Sequence, residues 1–410
     1  MAIQLRLQRV RTAARLTRQL LVRTQQRLTG LDPVGHGRVP RTLQLCTLDV
    51  CAVCGKPRRE PLRIIYLLPT IDSPIGGNKV SYRHIETIRR LGVRCCAFHA
   101  EKPASSYTWF KHQVETLKSG HFDPRSDFLV FPEVWAPLAA KFCVPAALRY
   151  AIFVQNGYLA HYSAGFERAV VAEAYRRADL VLSISDDTTA VTQLLYPFLD
   201  ARQLLRLTLS VPAMFNAGAK ERLVTYMPRK LPAHAERVSL YLEQRLPRGW
   251  RLQAIHNMGE EQVAATLARS SLFLSFSELE GYGLPPLEAA LAGNLVVGYT
   301  GQGGREFFAP PIFRTVENGD FLHYMAEVER AIADVESGAL DTAAVQEQRR
   351  RLATDHSVGR ETQLLTKFVA RVRTLMQRAE AGAIEAGPPP AEASLTCVGQ
   401  VLQQQRSSGV

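Results

Sequence analysis

The run Ser277-Glu278-Leu279-Glu280-Gly281-Tyr282-Gly283-Leu284-Pro285-Pro286-Leu287-Glu288 decides the fold, because it sets two carboxylates, Glu280 and Glu288, eight positions apart around the start of a helix. Upstream, Leu272-Phe273-Leu274-Ser275-Phe276 is an apolar run of strand length; downstream, Leu287 to Ala292 is rich in helix formers. Strand, loop and helix follow one another. Pro285 and Pro286 suit the first helical turn, where a missing N–H costs nothing. The free amides of the preceding loop, at the positive end of the helix, make an anion site. Glu288 can accept hydrogen bonds from a vicinal diol such as a ribose, and Glu280 can reach the hydroxyls of a sugar. The plain alternative is a pair of solvated helix-start carboxylates; the intervening Gly-Tyr-Gly-Leu-Pro-Pro-Leu argues against it.

The stretch Glu280 to Gly293, EGYGLPPLEAALAG, resembles the hallmark EGFGLPPLEAMACG of the retaining glycosyltransferases of the GT-B fold, the large group called family four or group one. The resemblance implies that Glu280 contacts the donor sugar near its reacting centre and that Glu288 holds the ribose. The loop of Gly281, Tyr282, Gly283 and Leu284 would take the distal phosphate. It spans roughly Leu62 to Arg373 and is strongest from Leu223 to Phe308.

Working outward, strand-length apolar runs alternate with helix-length segments in two series. The first holds Leu62 to Leu68, Val93 to Phe98, Phe128 to Phe131, Tyr150 to Val154 and Leu180 to Ile184, with a loop ending Gly76-Gly77-Asn78 before a helix through Leu91. The second holds strand Leu223 to Met227, helix Ala233 to Arg245, strand Trp250 to Ile255, helix Glu260 to Arg269, strand Leu272 to Phe276 and strand Leu295 to Tyr299. Such alternation implies parallel sheets covered by helices, with ligands bound at the strand ends. The expected class is therefore α/β of the GT-B type: two Rossmann-like, doubly wound domains facing across a cleft. Helices over Phe321 to Asp334 and Thr342 to Gln377 follow, and in the resembling family the last helices return to the first domain. The expected partition is a basic extension over 1–60, an acceptor-side domain over 61–215, a donor-side domain over 216–355, a crossing helix over 356–378 and a disordered tail over 379–410.

A leaving nucleoside diphosphate must have its charge neutralised. The chain has no Asp-x-Asp motif to recruit a divalent cation, but Arg229 and Lys230 directly follow the strand ending at Met227 and can clamp phosphates as fixed cations. The resemblance supports this placement, although the family usually spaces its Lys a few residues from its Arg. It also implies that Gly76 and Gly77 let the backbone approach the phosphates and sugar, and that His256 and Met258 border the base; Gly304 and Arg305 stand in a breaker-rich loop after the strand Leu295 to Tyr299 that reads as facing the cleft, or as a turn with a solvated Arg. Many relatives place a His near the reacting sugar after the fourth or fifth strand. This chain has Asn156 there and His161 only later; an amide can position a hydroxyl but cannot shuttle a proton. The resemblance implies a nucleotide-sugar donor, a glycan or lipid-linked acceptor, retention of anomeric configuration with the leaving phosphate taking the acceptor proton, and no cofactor or divalent metal. A nucleotide-sugar epimerase or hydrolase of the same fold is the second enzymatic alternative. A non-catalytic, membrane-docked partner in polysaccharide assembly is the third.

Of the net charge of +12, residues 1–60 carry +9, with 12 Lys and Arg against 3 Asp and Glu, so basicity belongs to the extension rather than to the main body. Met1 to Leu28 holds seven Arg and no acid, with Ile3, Leu7, Val10, Ala14, Leu21 and Leu28 at heptad-like spacing. It reads as a basic amphipathic helix fit for an anionic membrane surface, or as a partner-binding helix or basic leader. Without aromatic stacking residues it does not read as a nucleic-acid binder. No apolar run approaches the roughly 20 residues of a membrane span, and no secretory signal block is evident, so a cytoplasmic body, peripheral at most, is expected. Seven cysteines, with Cys95 and Cys96 adjacent, suit a reducing compartment. Cys46, Cys51 and Cys54 have metal-ligand spacing but no convincing fourth ligand, since His36 or Cys95 would have to fold back, and read as thiols in a linker.

Overall fold

The computed structural model describes residues 43–45, 62–69, 76–99, 110–117, 120–161 and 167–386. The basic segment 1–28, the cysteines 46, 51 and 54, and the tail beyond 386 lie outside the described residues. Among the described residues no helix is long and apolar enough to cross a membrane.

The first lobe is built on a six-stranded parallel sheet of order β3-β2-β5-β6-β7-β8. Its strands are β2 (Arg63–Leu68), β3 (Arg94–His99), β5 (Asp127–Pro132), β6 (Arg149–Val154), β7 (Leu180–Ser183) and β8 (Leu204–Arg206). Two short strands, β1 (Leu43–Leu45) and β4 (Gly120–Phe122), pair separately. Five of the six β5 residues and the central residues of β2 and β6 are apolar and buried on both faces, which is why these strands read as continuous apolar runs rather than as alternations. The second lobe has a five-stranded parallel sheet of order β10-β9-β11-β12-β13, from β9 (Leu223–Tyr226), β10 (Arg251–Ala254), β11 (Leu272–Glu280), β12 (Leu295–Gln302) and β13 (Phe313–Thr315). In each sheet the chain steps outward from its first strand and then returns to that strand's other side, between β2 and β5 and between β9 and β11. These switch points open a crevice at the carboxyl ends of the strands.

Two passages join the lobes. Val211 N–H donates to His356 O at 3.0 Å, and Ser210 donates through its amide and hydroxyl to Glu361 at 3.1 and 2.8 Å. The helix Val358–Ala386 then runs back over the first lobe, burying Leu365, Phe368, Val369 and Val372 along one stripe, with Phe368 edge-on to Phe128 at 6.2 Å.

Three expectations are corrected. Gly76 and Gly77 do not end a loop; they open the helix Gly76–Arg90. The helix expected over Thr342 to Gln377 is two, Ala343–Asp355 and Val358–Ala386, because Ser357 accepts from Arg360 N–H at 3.1 Å and caps a new start. That last helix also runs to Ala386 rather than stopping at 378, since Ala and Glu continue to favour it until Gly387 and Pro388.

Candidate active site

The second lobe supplies the acidic motif. β11 runs on to Glu280, farther than its apolar run, and its register against β12 shifts between Ser277 and Glu280. Such an irregularity re-aims the side chain at the strand end. Gly283, at φ +88°, takes the left-handed conformation that starts the helix Leu284–Leu291, with proline in its first turn. Glu280 Oε1 lies 2.7 Å from Lys230 Nζ, both partly exposed. The neighbouring Arg229 is exposed and, among the described residues, forms no ion pair. The adjacent cations thus divide: Lys230 is committed to the carboxylate, and Arg229 is free to meet a ligand anion.

Glu288 is buried, 3.2 Å from the ammonium of Lys79, which comes from the first lobe. Lys79 also lies 2.5 Å from Glu260, and Arg83, one turn along the same helix, reaches Glu260 at 2.8 Å and Ser210 O at 3.0 Å. These residues were not singled out from sequence. Lys79 and Glu288 stand 209 positions apart, and only the packed lobes join them.

From the first lobe, β5 delivers a second unforeseen group. Glu133 follows the strand's last residue, is 5% exposed, and accepts the amide N–H of Asn156 at 3.1 Å and of Gln155 at 3.4 Å. Burial pushes its carboxyl up to about 7, and the backbone donors hold it from going higher. Its position at a strand's carboxyl end was the available signal. Asn156 caps the turn Gly157–Leu159 by accepting from Tyr158 N–H at 3.0 Å and donates to Leu279 O at 2.7 Å in the other lobe. The amide expected to position a sugar hydroxyl is therefore engaged in bracing the lobes beside Glu280. The two backbones nearly touch here: a Cβ on Gly281 would sit 1.8 Å from Gln155 O.

The cleft so formed encloses about 850 Å³ and is lined by Gly76, Gly77, Lys79, Glu133, Asn156, Arg229, Lys230, His256, Met258, Glu280 to Leu284 and Glu288. This is the size of a small-molecule site. Three expected residues are placed otherwise. Tyr282 borders the cleft, but its ring packs against Phe307, with its hydroxyl 3.2 Å from His356 Nε2. Gly304 and Arg305 do not line the cleft. They belong to a 3-10 turn whose Glu306 reaches Arg206 at 2.7 Å and Asp186 N–H at 3.0 Å, so that loop fastens the lobes together. His161 is exposed and likewise outside the lining.

Two parallel-sheet, Rossmann-like lobes with a cleft at their strand ends define the GT-B fold. No family model matches the chain. It is similar to an alpha-1,6-glucosyltransferase of Actinobacillus pleuropneumoniae serotype 7 (strain AP76), 23% identical over 290 residues that cover 65% of this chain and 82% of that protein. Among solved structures it is similar to sucrose-phosphate synthase from Thermosynechococcus elongatus, with a TM-score of 0.57 and 13% identity over 77% of this chain and 100% of that one. It is also similar to HepE from Anabaena in complex with UDP, with a TM-score of 0.56 and 13% identity over 76% of this chain and 100% of that one. HepE has also been solved with UDP-glucose. At such identities these structures speak for the fold.

Proposed function

We propose that the chain is a retaining glycosyltransferase that moves a sugar from a nucleotide-sugar donor to a hydroxyl of a glycan or lipid-linked acceptor, without a divalent metal. The observation that carries this reading is the pair of motif carboxylates in one interlobe cleft, Glu280 beside Lys230 at 2.7 Å and Glu288 beside Lys79 at 3.2 Å, with Arg229, which forms no ion pair among the described residues, in its lining. Added support comes from the likeness to an alpha-1,6-glucosyltransferase and from a similar fold that holds UDP and UDP-glucose.

In this reading the domain over 216–355 holds the donor and that over 61–215 receives the acceptor. Glu288 accepts the ribose diol, and Glu280 accepts hydroxyls of the transferred sugar. Arg229 and the amides of Gly283 and Leu284 stabilise the diphosphate as negative charge develops on it. Lys230 bridges from Glu280 toward the same phosphates. The leaving phosphate takes the acceptor proton on the face where the new bond forms, so the anomeric configuration is kept. The setting is cell-surface polysaccharide or lipid-linked glycan synthesis at the cytoplasmic side, with the basic residues 1–28 holding the enzyme at an anionic membrane.

A thermal-shift screen against UDP-, GDP- and ADP-sugars, followed by transfer assays with the stabilising donor, tests the reading. Stabilisation by a nucleotide sugar and acceptor-dependent product growth are expected. Donor breakdown without acceptor dependence would favour a hydrolase, and the absence of stabilisation by any nucleotide would sink the proposal.

A further inference from the structure

A lysine with 7% of its side chain exposed needs a reason to be there. Lys79 stands in the first turn of the helix Gly76–Arg90, where the helix dipole disfavours a cation, and Arg83 follows on the same face one turn later. Among the described residues its ion-pair partners, Glu260 at 2.5 Å and Glu288 at 3.2 Å, both come from the other lobe, and the ring of Phe215 lies 5.6 Å away. The four charges Lys79, Arg83, Glu260 and Glu288 cancel. Lys79 touches one oxygen of Glu288, Oε1; among the described residues no side chain donates to the other.

We propose that Lys79 is a donor-site positioning residue contributed by the opposite lobe: it holds Glu288 by one carboxylate oxygen and leaves the second for the ribose diol. The inference rests on the reading of Glu288 as the ribose ligand. A neutral diol brings no charge of its own, so a buried carboxylate that receives it needs a permanent counter-cation. Lys79 supplies that cation, and it does so only while the lobes are together, so the diol site is complete only in the closed cleft.

The experiment measures calorimetric affinities of the tightest binder among UDP, ADP, GDP and CDP, and of its 2′-deoxy form, for the wild type and for Lys79→Met, Lys79→Gln and Glu260→Gln, with a melting curve for each. The wild type should prefer the ribonucleotide by about tenfold or more, the size of a hydrogen bond to a charged group. In Lys79→Met, and in Lys79→Gln should the first fold poorly, that preference should fall below about threefold. Glu260→Gln, which weakens the join between lobes but leaves Lys79 on Glu288, should keep it. A Lys79 variant that weakens both nucleotides equally and preserves their ratio would make Lys79 a mere staple and overturn the inference. So would a variant that binds the ribonucleotide more tightly, which would make Lys79 a competitor for Glu288, or a Glu260→Gln protein that loses discrimination as fully as Lys79→Met. Loss of all nucleoside diphosphate binding in the wild type itself overturns the proposed function along with the inference; binding and discrimination by the wild type with no change in the Lys79 variants overturns the inference alone.

Discussion

Adding one methyl group at Gly281 tests whether the closed seam between the lobes makes the site. A Cβ there would lie 1.8 Å from Gln155 O, 2.8 Å from Gln155 C and 2.9 Å from Asn156 Cα, all backbone atoms of the facing lobe. An ordinary contact needs 3.4 Å, so the two backbones must part by about 1.6 Å. Neither side yields easily. Gln155 is held by Glu133 through its amide and by Ser81 through its side chain at 3.3 Å. Gly281 O accepts from Thr188 Oγ1 at 3.2 Å, and Gly303 packs so closely behind it that a Cβ there would sit 2.1 Å from Gly281 O. The relief left to the molecule is to open the lobes, which lengthens the 2.7 Å bond from Asn156 to Leu279 and draws Lys79 off Glu288. A displacement of an ångström in a positioned site lowers turnover on the order of a hundredfold. Gly281→Ala should therefore keep a folded melting transition, bind nucleoside diphosphate at least about tenfold more weakly, and give a larger radius of gyration in solution scattering. A Gly281→Ala protein with wild-type nucleotide affinity and an unchanged scattering profile would refute the reasoning.

Glu280→Ala and Arg229→Ala should each lower sugar transfer by about a hundredfold or more with an unchanged melting temperature, and Arg229→Ala should also weaken nucleoside diphosphate binding; full activity of both purified variants would end the site assignment. Glu133 has a folded pKa of about 7, raised from its ordinary 4.5, so the folded state binds the extra proton between these values and this group's contribution to stability falls as pH rises from 4.5 through 7. Glu133→Gln should accordingly gain stability relative to the wild type across that window, by about 3 kcal/mol at most, and melting curves from pH 4.5 to 8 with a constant difference would contradict it. Lys220 Nζ donates to the carbonyls of Ala268, Ser270 and Ala292 at 2.9, 2.8 and 2.6 Å, closing the carboxyl ends of the helices Glu260–Arg269 and Leu284–Leu291. Lys220→Met should destabilise the protein by about 3 kcal/mol or more, since buried acceptors are left unmet, as read by urea unfolding; a change under about 1 kcal/mol would show that those carbonyls find water instead.

What was legible in the sequence was whatever a short window contains. β2, β5, β6, β9 and β11 are buried on both faces, so each announces itself as a continuous apolar run. β8 did not: its three residues are half-buried or exposed at a sheet edge, and Leu204-Leu205-Arg206 carries no period of its own. The expected helix over Thr342 to Gln377 ran together because both halves favour helix, and the single Ser357 that caps the second is a weak signal inside a strong one. Arg229, Lys230, Glu280 and Glu288 follow from local motifs. Their division of labour does not, because which cation meets Glu280 and which meets Glu288 is set by side chains arriving from elsewhere in the fold.

Tyr282 shows the same limit from within the motif. The resembling pattern has Phe at that place, and a ring packed against Phe307 would serve equally as Phe; only the hydroxyl is additional here. The structure gives that hydroxyl a destination. It lies 3.2 Å from Nε2 of the buried His356, whose Nδ1 lies 3.1 Å from Leu209 O in the passage between the lobes. With Nδ1–H donating to that carbonyl, Nε2 is left to accept from Tyr282, an assignment made from the hydrogen-bond network. The loop that follows Glu280 is thus tied through one tyrosine and one histidine to the connection on which the lobes meet. Gly281 against Gln155, Asn156 on Leu279 and Lys79 on Glu288 are further ties between the lobes. A motif that read as a self-contained binding loop is therefore half of a site, and its partner residues Lys79, Gln155 and His356 could be found only by folding the chain.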